Sequence, residues 1–336
     1  MKIVIFEAEP WEEELFEGTC GDNEVVIRSE PLTAEVAEKH RDAEIISPFI
    51  YSDLDAQTLG KIPDLEMIAT RSTGYDHIDL DYCAEHDITI TNVPEYGDNT
   101  VAEHVFALLL AIARKIPDAV DRTRKGDFTM QGLRGMDLRG KTMGVIGTGS
   151  IGRRVIEIAA GFGLETLAFD VRPDEDLAES LGFRYVDMDE LVSASDIITL
   201  HVPANEKTKD LLSDDEFGKM KTGVIVLNTS RGSVVNTQAL LRALSEGKVG
   251  WAGLDVLDEE PTIREEAELL RSIFRKSHDL ETLLADHVLM HMRNVIVTPH
   301  IGFDTDEAVR RITETTIRNI NSYCRGEPQN VVGKEA

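Results

Sequence analysis

Thr142-Met143-Gly144-Val145-Ile146 runs directly into Gly147-Thr148-Gly149-Ser150-Ile151-Gly152 and then into Arg153-Arg154-Val155-Ile156-Glu157-Ile158-Ala159-Ala160. An apolar strand-type run, a G-x-G-x-x-G turn and an amphipathic helix follow one another without a spacer. Alone, that glycine string is a weak signal. Between a strand and a helix it becomes specific. Gly147 permits the tight turn, Gly149 lets the backbone approach a pyrophosphate, and Gly152 lets the helix pack closely on the strand. The amides of Ser150 and Ile151 then face that pyrophosphate at the helix N-terminus. The next apolar run, Thr166-Leu167-Ala168-Phe169, ends in Asp170, about 20 residues on, where a carboxylate accepts hydrogen bonds from a ribose. A 2′-phosphate placed there meets a negative charge, which favours NAD(H) over NADP(H); the neighbouring Arg172 tempers that preference.

Outward from this unit, apolar runs alternate with helical patterns almost throughout, the signature of parallel α/β architecture. Upstream, the expected strands are Lys2–Phe6, Glu44–Ser47, Glu66–Ala69 and Ile88–Thr91, with helical patterns at Ala34–His40 and Leu80–His86. A long helix is expected from about Asn99 to Arg124, with Val101, Val105, Leu108, Leu109 and Ile112 at helical spacing. Asn99 is its expected cap, and Pro117 is expected to kink or split it. Downstream of Gly135 the expected strands are Thr142–Ile146, Glu165–Phe169, Ile197–Leu200, Val224–Leu227, Ala252–Val256 and Val295–Val297. A final helix is expected over Thr305–Cys324, and the tail 328–332 is expected to return to the first domain. The segment Thr262–Arg293 breaks the rhythm. It is charged and helical in pattern, with Leu269, Leu270, Ile273 and Phe274 on one side. It reads as a solvated excursion with one anchored face or as a dimer or lid element.

The chain has 336 residues, enough for two domains with cores of their own. Its longest apolar run, Val105 to Ala113, is closed off by Arg114 and Lys115, well short of the ~18 residues of a membrane span. The N-terminus opens into a strand rather than a signal peptide, so a cytoplasmic location is expected. Cys20, Cys83 and Cys324 are dispersed and odd in number, which suggests reduced thiols rather than a disulfide framework or a zinc site. Formal net charge is −27, from 62 acidic and 35 basic residues. Such a surface repels nucleic acid and anionic membranes, and serves solubility or tolerance of high salt. An anion-binding pocket on this chain therefore needs local positive charge.

Three runs in the second half each deliver a residue of a type that catalysis could use. Gly223–Ser230 leads to Arg231, Trp251–Val256 leads to Glu260, and Asn294–Pro299 leads to His300. Ligands of open α/β sheets bind outside the carboxyl ends of the strands, so the three are expected to face one pocket. Arg231 offers a planar fork that matches a carboxylate. His300 can supply a proton, and a carboxylate such as Glu260 stabilises its imidazolium. His201 also follows a strand and competes for the acid role, although Val202 and Pro203 beside it look like a cofactor wall. His287 and His291 have metal-pair spacing but lack the H-E-x-x-H glutamate, so no metal is expected. Glu103-His104 opens the long helix and reads as structural. Arg231 as a buried ion-pair partner is the bland alternative.

These motifs, together with Asn92-Val93-Pro94, Val101-Ala102-Glu103-His104, Leu200-His201-Val202-Pro203, Asn228-Thr229-Ser230-Arg231-Gly232, Leu254-Asp255-Val256 with Glu260-Pro261, and Thr298-Pro299-His300, resemble the D-isomer-specific 2-hydroxyacid dehydrogenase family in order and across the chain. The resemblance implies two Rossmann/flavodoxin-like parallel-sheet domains with an interdomain cleft. A discontinuous substrate domain would comprise 1–100 plus 301–336, and an NAD-binding Rossmann domain 101–300. It implies Arg231, Glu260 and His300 as the catalytic trio. It places Ser150, Ile151, Asp170, Val202, Pro203, Thr208, Thr229, Ser230, Arg231 and Asp255 around NAD. It also implies a homodimer formed through the cofactor domain. On the substrate side it implies the backbone of Thr73-Gly74 and a wall of Tyr51, Tyr96 and Phe303, which suits a small 2-oxo acid such as pyruvate. Glu260-Pro261 is more similar to glyoxylate, hydroxypyruvate or phosphoglycerate enzymes. No lysine sits beside Gly74 as in the phosphite-oxidising branch. A rival of another class is an NAD-sensing scaffold like the co-repressors that share this fold.

Overall fold

The computed structural model describes residues 1–17, 21, 23–258 and 280–333. Cys20, Glu260 with Pro261, and positions 262–279 of the charged segment lie outside the described residues. The chain divides into two compact units, Met1–Tyr96 with Thr305–Ala336, and Gly97–Asp304.

The first unit is built on β1 (Lys2–Ile5), β2 (Glu24–Ile27), β3 (Ile45–Ser47), β4 (Met67–Ala69) and β5 (Thr89–Thr91). These strands are parallel, in the order β2-β1-β3-β4-β5, the flavodoxin-like 2-1-3-4-5 arrangement. Successive side chains of a strand point to opposite faces, and both faces here are apolar. Ile3, Ile5, Ile45 and Met67 pack on one side with Ile317 and Ile320 of the helix Asp306–Cys324. Val4, Phe6, Ile46 and Ile68 pack on the other with Leu32, Leu59 and Ile90. Burial on both faces is why these strands read as continuous apolar runs rather than as alternating ones. Thr305 caps the C-terminal helix by accepting the Ala308 amide. The tail, Val331–Val332, pairs antiparallel with β5 and is the sheet's one strand of that sense among the described residues.

The second unit holds β6 (Thr142–Ile146), β7 (Glu165–Phe169), β8 (Arg184–Tyr185), β9 (Ile197–Leu200), β10 (Val224–Asn228), β11 (Val249–Leu254) and β12 (Val295–Val297). All are parallel, in the order β8-β7-β6-β9-β10-β11-β12, which is the 3-2-1-4-5-6 order of a dinucleotide-binding sheet with one further strand. The order reverses between β6 and β9, and that switch point is where such sheets bind their ligand.

The long helix differs from expectation. It is two helices, Asp98–Arg114 and Ile116–Arg124. The break is at Lys115, which takes a left-handed conformation at φ 52°. The expected split is thus present two residues before Pro117, which itself lies in the first turn of the second helix, where a missing N–H leaves no hydrogen bond unmade. Asn99 is not the cap, because the helix starts one residue earlier after Gly97, and the Asn99 amide instead donates to Glu103 Oε1. The edge strands β2 and β8 went unrecognised in the sequence. Each is short and only partly buried, so its strand character comes from its neighbour. No helix among the described residues is long and apolar enough to cross a membrane.

Candidate active site

In the second unit, register aligns the strand ends in one row. Val297, Leu254, Asn228, Leu200, Ile146 and Phe169 are successive partners across β12, β11, β10, β9, β6 and β7. The segments carrying His300, Asp255, Arg231, His201, the glycine turn and Asp170 therefore all leave the sheet along one edge.

At the switch point the glycine turn is sterically determined. Gly147 has φ 95°, and a Cβ there would stand 2.5 Å from the His201 carbonyl oxygen and 3.0 Å from Val202. A Cβ on Gly152 would stand 2.0 Å from the Gly147 carbonyl oxygen. Gly149 differs, since its Cβ would meet nothing within 4 Å. No protein packing requires a glycine there, which fits a position left open for the close approach of a pyrophosphate. Gly149 also provides no side-chain cap for the helix Ser150–Phe162, so the amides of Ser150 and Ile151 are not covered by a cap. Asp170 ties the end of β7 to this turn. Its Oδ2 accepts the Thr148 amide at 2.7 Å and the Thr148 hydroxyl at 3.0 Å, and its Oδ1 accepts the Arg172 amide at 2.9 Å. Burial pushes this carboxyl up, but the donors of Thr148 and Arg172 outweigh it and hold it below the usual range. The ionised group retains acceptor capacity on Oδ1 for a ribose hydroxyl. Thr148 also lies 2.8 Å from the Tyr185 hydroxyl on β8, a support that was not evident in the sequence.

Val202 and Pro203 follow β9, and the hydroxyl of Thr208 donates to the Pro203 carbonyl at 2.6 Å, closing that loop on itself. After β10, the Thr229 hydroxyl is buried with no hydrogen-bond partner among the described residues, an orphan polar atom of the kind a bound group satisfies. Asn228 organises the turn beyond it. Its Oδ1 accepts the Ser230 amide and hydroxyl, and its Nδ2 donates to the Arg231 carbonyl at 2.8 Å. Gly232 packs where a Cβ would stand 2.2 Å from the Leu257 carbonyl carbon. The turn carrying Arg231 therefore lies against Leu257-Asp258, the described residues just before Glu260. Glu260 itself is outside the described residues.

His300 sits at φ 55°, a left-handed conformation that costs a non-glycine residue on the order of 1 kcal/mol or more. Surrounding contacts hold it there. The His300 amide donates to the Asp255 carbonyl at 2.9 Å. The Asp255 carboxylate accepts the Thr298 hydroxyl at 2.5 Å, the Ile301 amide at 3.0 Å and the Gly302 amide at 2.8 Å. Phe303 presents an edge-to-face contact to the His300 ring, with centroids 6.3 Å apart. The competing acid, His201, has a different environment. The residue retains some exposed surface, but packing desolvates the imidazole and pushes its pKa down to about 3. Its Nε2 lies 2.9 Å from the Thr199 hydroxyl. Burial thus disfavours the imidazolium form of His201, the form that would donate a proton. No group of three or more His, Cys, Asp or Glu side chains among the described residues could hold a metal ion.

The first unit carries the other expected residues. Tyr51 is 57% exposed on a loop held by Glu7, whose carboxylate accepts the amides of Phe49 and Tyr51 and the hydroxyl of Ser52. Glu7 lies two residues after β1 at φ 56°, and nothing in its local sequence marks it. The Thr73 hydroxyl donates to the Val93 carbonyl, its own carbonyl accepts the Asn92 amide group, and the Gly74 carbonyl accepts the Ser72 hydroxyl. The Tyr96 carbonyl accepts two donors from Arg311, at 2.9 and 2.7 Å.

Residues 106–302 match the family model described as "D-isomer specific 2-hydroxyacid dehydrogenase, NAD binding domain". The chain belongs to the D-isomer-specific 2-hydroxyacid dehydrogenase family. It is 34% identical to the D-lactate dehydrogenase kk1H of Curvularia clavata over 98% of this chain and 94% of that one. It is 34% identical to the glyoxylate reductase of Thermococcus litoralis over 91% of this chain and 88% of that one. Among solved structures, the D-lactate dehydrogenase of Aquifex aeolicus, complexed with NAD and lactic acid, superposes with a TM-score of 0.87 at 35% identity, covering 99% of this chain and 100% of that one. As a D-2-hydroxyacid dehydrogenase, the protein is an NAD-dependent oxidoreductase of 2-hydroxy acids. The open position at Gly149, the uncapped helix start, the Asp170 carboxylate and the orphan Thr229 hydroxyl fit NAD.

Proposed function

We propose that this D-2-hydroxyacid dehydrogenase reduces a small 2-oxo acid, with pyruvate as the leading substrate, to the D-2-hydroxy acid. The observation that carries the reading is the delivery of Arg231 and His300 from β10 and β12, which flank β11, along the edge that also holds the glycine turn. The reduced nicotinamide, when bound, supplies the hydride to the carbonyl carbon. Arg231 grips the substrate carboxylate through its planar fork. His300 gives its proton to the carbonyl oxygen as the C–H bond forms, so that the product is a neutral alcohol. Glu260 is assigned to stabilise the imidazolium. Gly147, Gly149, Gly152, Ser150, Ile151, Asp170, Val202, Pro203, Thr208, Thr229, Ser230 and Asp255 are assigned to the cofactor. Tyr51, Thr73, Gly74, Tyr96 and Phe303 are assigned to the substrate, and the aromatic members favour a short side chain.

A panel of pyruvate, glyoxylate, hydroxypyruvate, phosphohydroxypyruvate and longer 2-oxo acids, each with NADH and NADPH, tests this. The expected result is the highest kcat/KM for pyruvate with NADH, D-lactate as product, and at least about tenfold less activity with NADPH, because one misplaced charge costs about 1.4 kcal/mol or more. Preference for glyoxylate supports the second reading, a glyoxylate or hydroxypyruvate reductase, which similarity to the Thermococcus enzyme favours. No turnover across the panel would point to an NAD-sensing scaffold.

We further assign the enzyme to the cytoplasm as a homodimer. Phe128 and Met130 are 80% and 87% exposed on the segment after the helix Ile116–Arg124. That segment is tethered by Arg122 to the Gln131 carbonyl and by Lys115 to the Gly132 carbonyl. These two exposed apolar side chains, two residues apart, are the surface assigned to the second copy. Sedimentation equilibrium should report twice the 37.3 kDa chain mass; a monomer at micromolar concentration would refute the dimer.

A further inference from the structure

His104 reaches the His300 segment from another element. It lies in the helix Asp98–Arg114, and its Nε2 is 3.0 Å from the Thr298 hydroxyl and 3.3 Å from Asp255 Oδ1. The hydrogen positions follow from valence. Thr298 has one hydroxyl proton and donates it to Asp255 Oδ1, so toward His104 it can only accept. Nε2 of His104 therefore carries a hydrogen and is the donor in both contacts.

Asp255 is 2% exposed, and a carboxylate so buried requires donors around it. Its oxygens take Thr298, Ile301 and Gly302, and its carbonyl takes the His300 amide. Both flanks of His300 thus hang on one aspartate. Burial pushes that carboxyl up, but the hydrogen bonds of His104 and Thr298, the charge of His104 and the Gly302 amide outweigh it and hold it low. His104 is the one basic side chain paired with Asp255 among the described residues. The fit around the pair is tight. A Cβ on Gly302 would stand 2.7 Å from Asp255 Oδ2 and 3.4 Å from His104 Cδ2.

We propose that His104 is a positioning residue for proton donation by His300, acting through the carboxylate of Asp255. The proposal rests on the reading of His300 as the proton donor. Without the imidazole donor, the aspartate loses the group that orients it from outside the loop. Thr298, Ile301 and Gly302 then no longer fix the backbone that aims the His300 ring. The substrate carboxylate is gripped elsewhere, by Arg231, so its binding is spared.

The test uses the full-length enzyme with pyruvate, or with the best 2-oxo acid of the panel, and the variants His104→Phe, His104→Ala and His104→Gln. Phe preserves the packing and removes the donor, whereas Gln presents an amide donor at similar reach. The expected result for Phe and Ala is a kcat lowered roughly 10–10²-fold, since misplacement by about 1 Å costs that much, with KM for the 2-oxo acid within about twofold. The solvent deuterium isotope effect on kcat should rise, because proton transfer becomes slower, and Gln should restore both readouts. The proposal is overturned if Phe leaves kcat and the isotope effect unchanged, or if Gln is as impaired as Phe. It is also overturned if kcat falls in step with thermal stability while the isotope effect stays constant. Should Ala not fold, Phe and Gln decide. His300→Asn separates the two readings. If it retains wild-type kcat, the donor assignment itself fails; if it loses kcat while the His104 variants do not, only the positioning role fails.

Discussion

His300→Ala is expected to lower kcat by roughly 10²–10⁴-fold, the usual contribution of a positioned general acid, while KM for the 2-oxo acid changes far less. The hydride acceptor cannot keep the negative charge that would build on its oxygen, and the other imidazole that follows a strand at this edge, His201, is a poor substitute. His201 is pushed down to about 3 by burial and is neutral in the working range. His300→Asn is the informative companion. Position 300 has φ 55°, a conformation that Asn tolerates and Ala tolerates poorly. A similar loss in both variants assigns the effect to the missing proton; a loss confined to Ala assigns it to the backbone. Steady-state kinetics with NADH checks this, and an Asn variant with wild-type kcat would remove His300 from the acid role.

Arg231→Lys is expected to lower kcat/KM on the order of 10–100-fold, because a hydrogen bond to a charged group contributes about 1.5–3 kcal/mol and one arm of the bidentate fork is lost. KM should rise and kcat should fall together, since the same contact grips and aims the substrate. The turn that carries Arg231 is held by the side chain of Asn228 acting on the backbone of Ser230 and Arg231, so Lys at this position keeps its location while the fork, including its bond to the Ser230 carbonyl, is lost. Unchanged kinetics would mean that the substrate carboxylate is held elsewhere.

What was legible in the sequence was local. β6, the glycine turn and its helix occupy consecutive residues, and Asp170 closes the unit one strand later, so chain order alone exposes them. Arg231 and His300 were found in the same way, as polar residues at the ends of apolar runs. The residues that went unseen act across long separations. Glu7 holds the Tyr51 loop from 44 positions away, and His104 meets Thr298 across 194. His104 was read as structural because a histidine near a helix start gives no sign of what faces it. Thr148 and Tyr185 meet only because β7 pairs with β6 on one side and with β8 on the other, which brings the end of β8 within reach of the turn after β6.

The sequence by itself determined the family, the parallel α/β class, the dinucleotide turn and the identity of the proton donor's candidates, because periodicity and turn chemistry are properties of neighbouring residues. Only the tertiary structure showed that the His201 ring is desolvated, since desolvation depends on what packs around a ring and not on what precedes it in the chain. Only the tertiary structure, too, revealed that His300 is held in its left-handed conformation by Asp255, with Thr298, Gly302 and His104 gathered around one buried carboxylate. A buried charge has to collect donors from wherever the fold brings them, and that gathering leaves no pattern along the sequence.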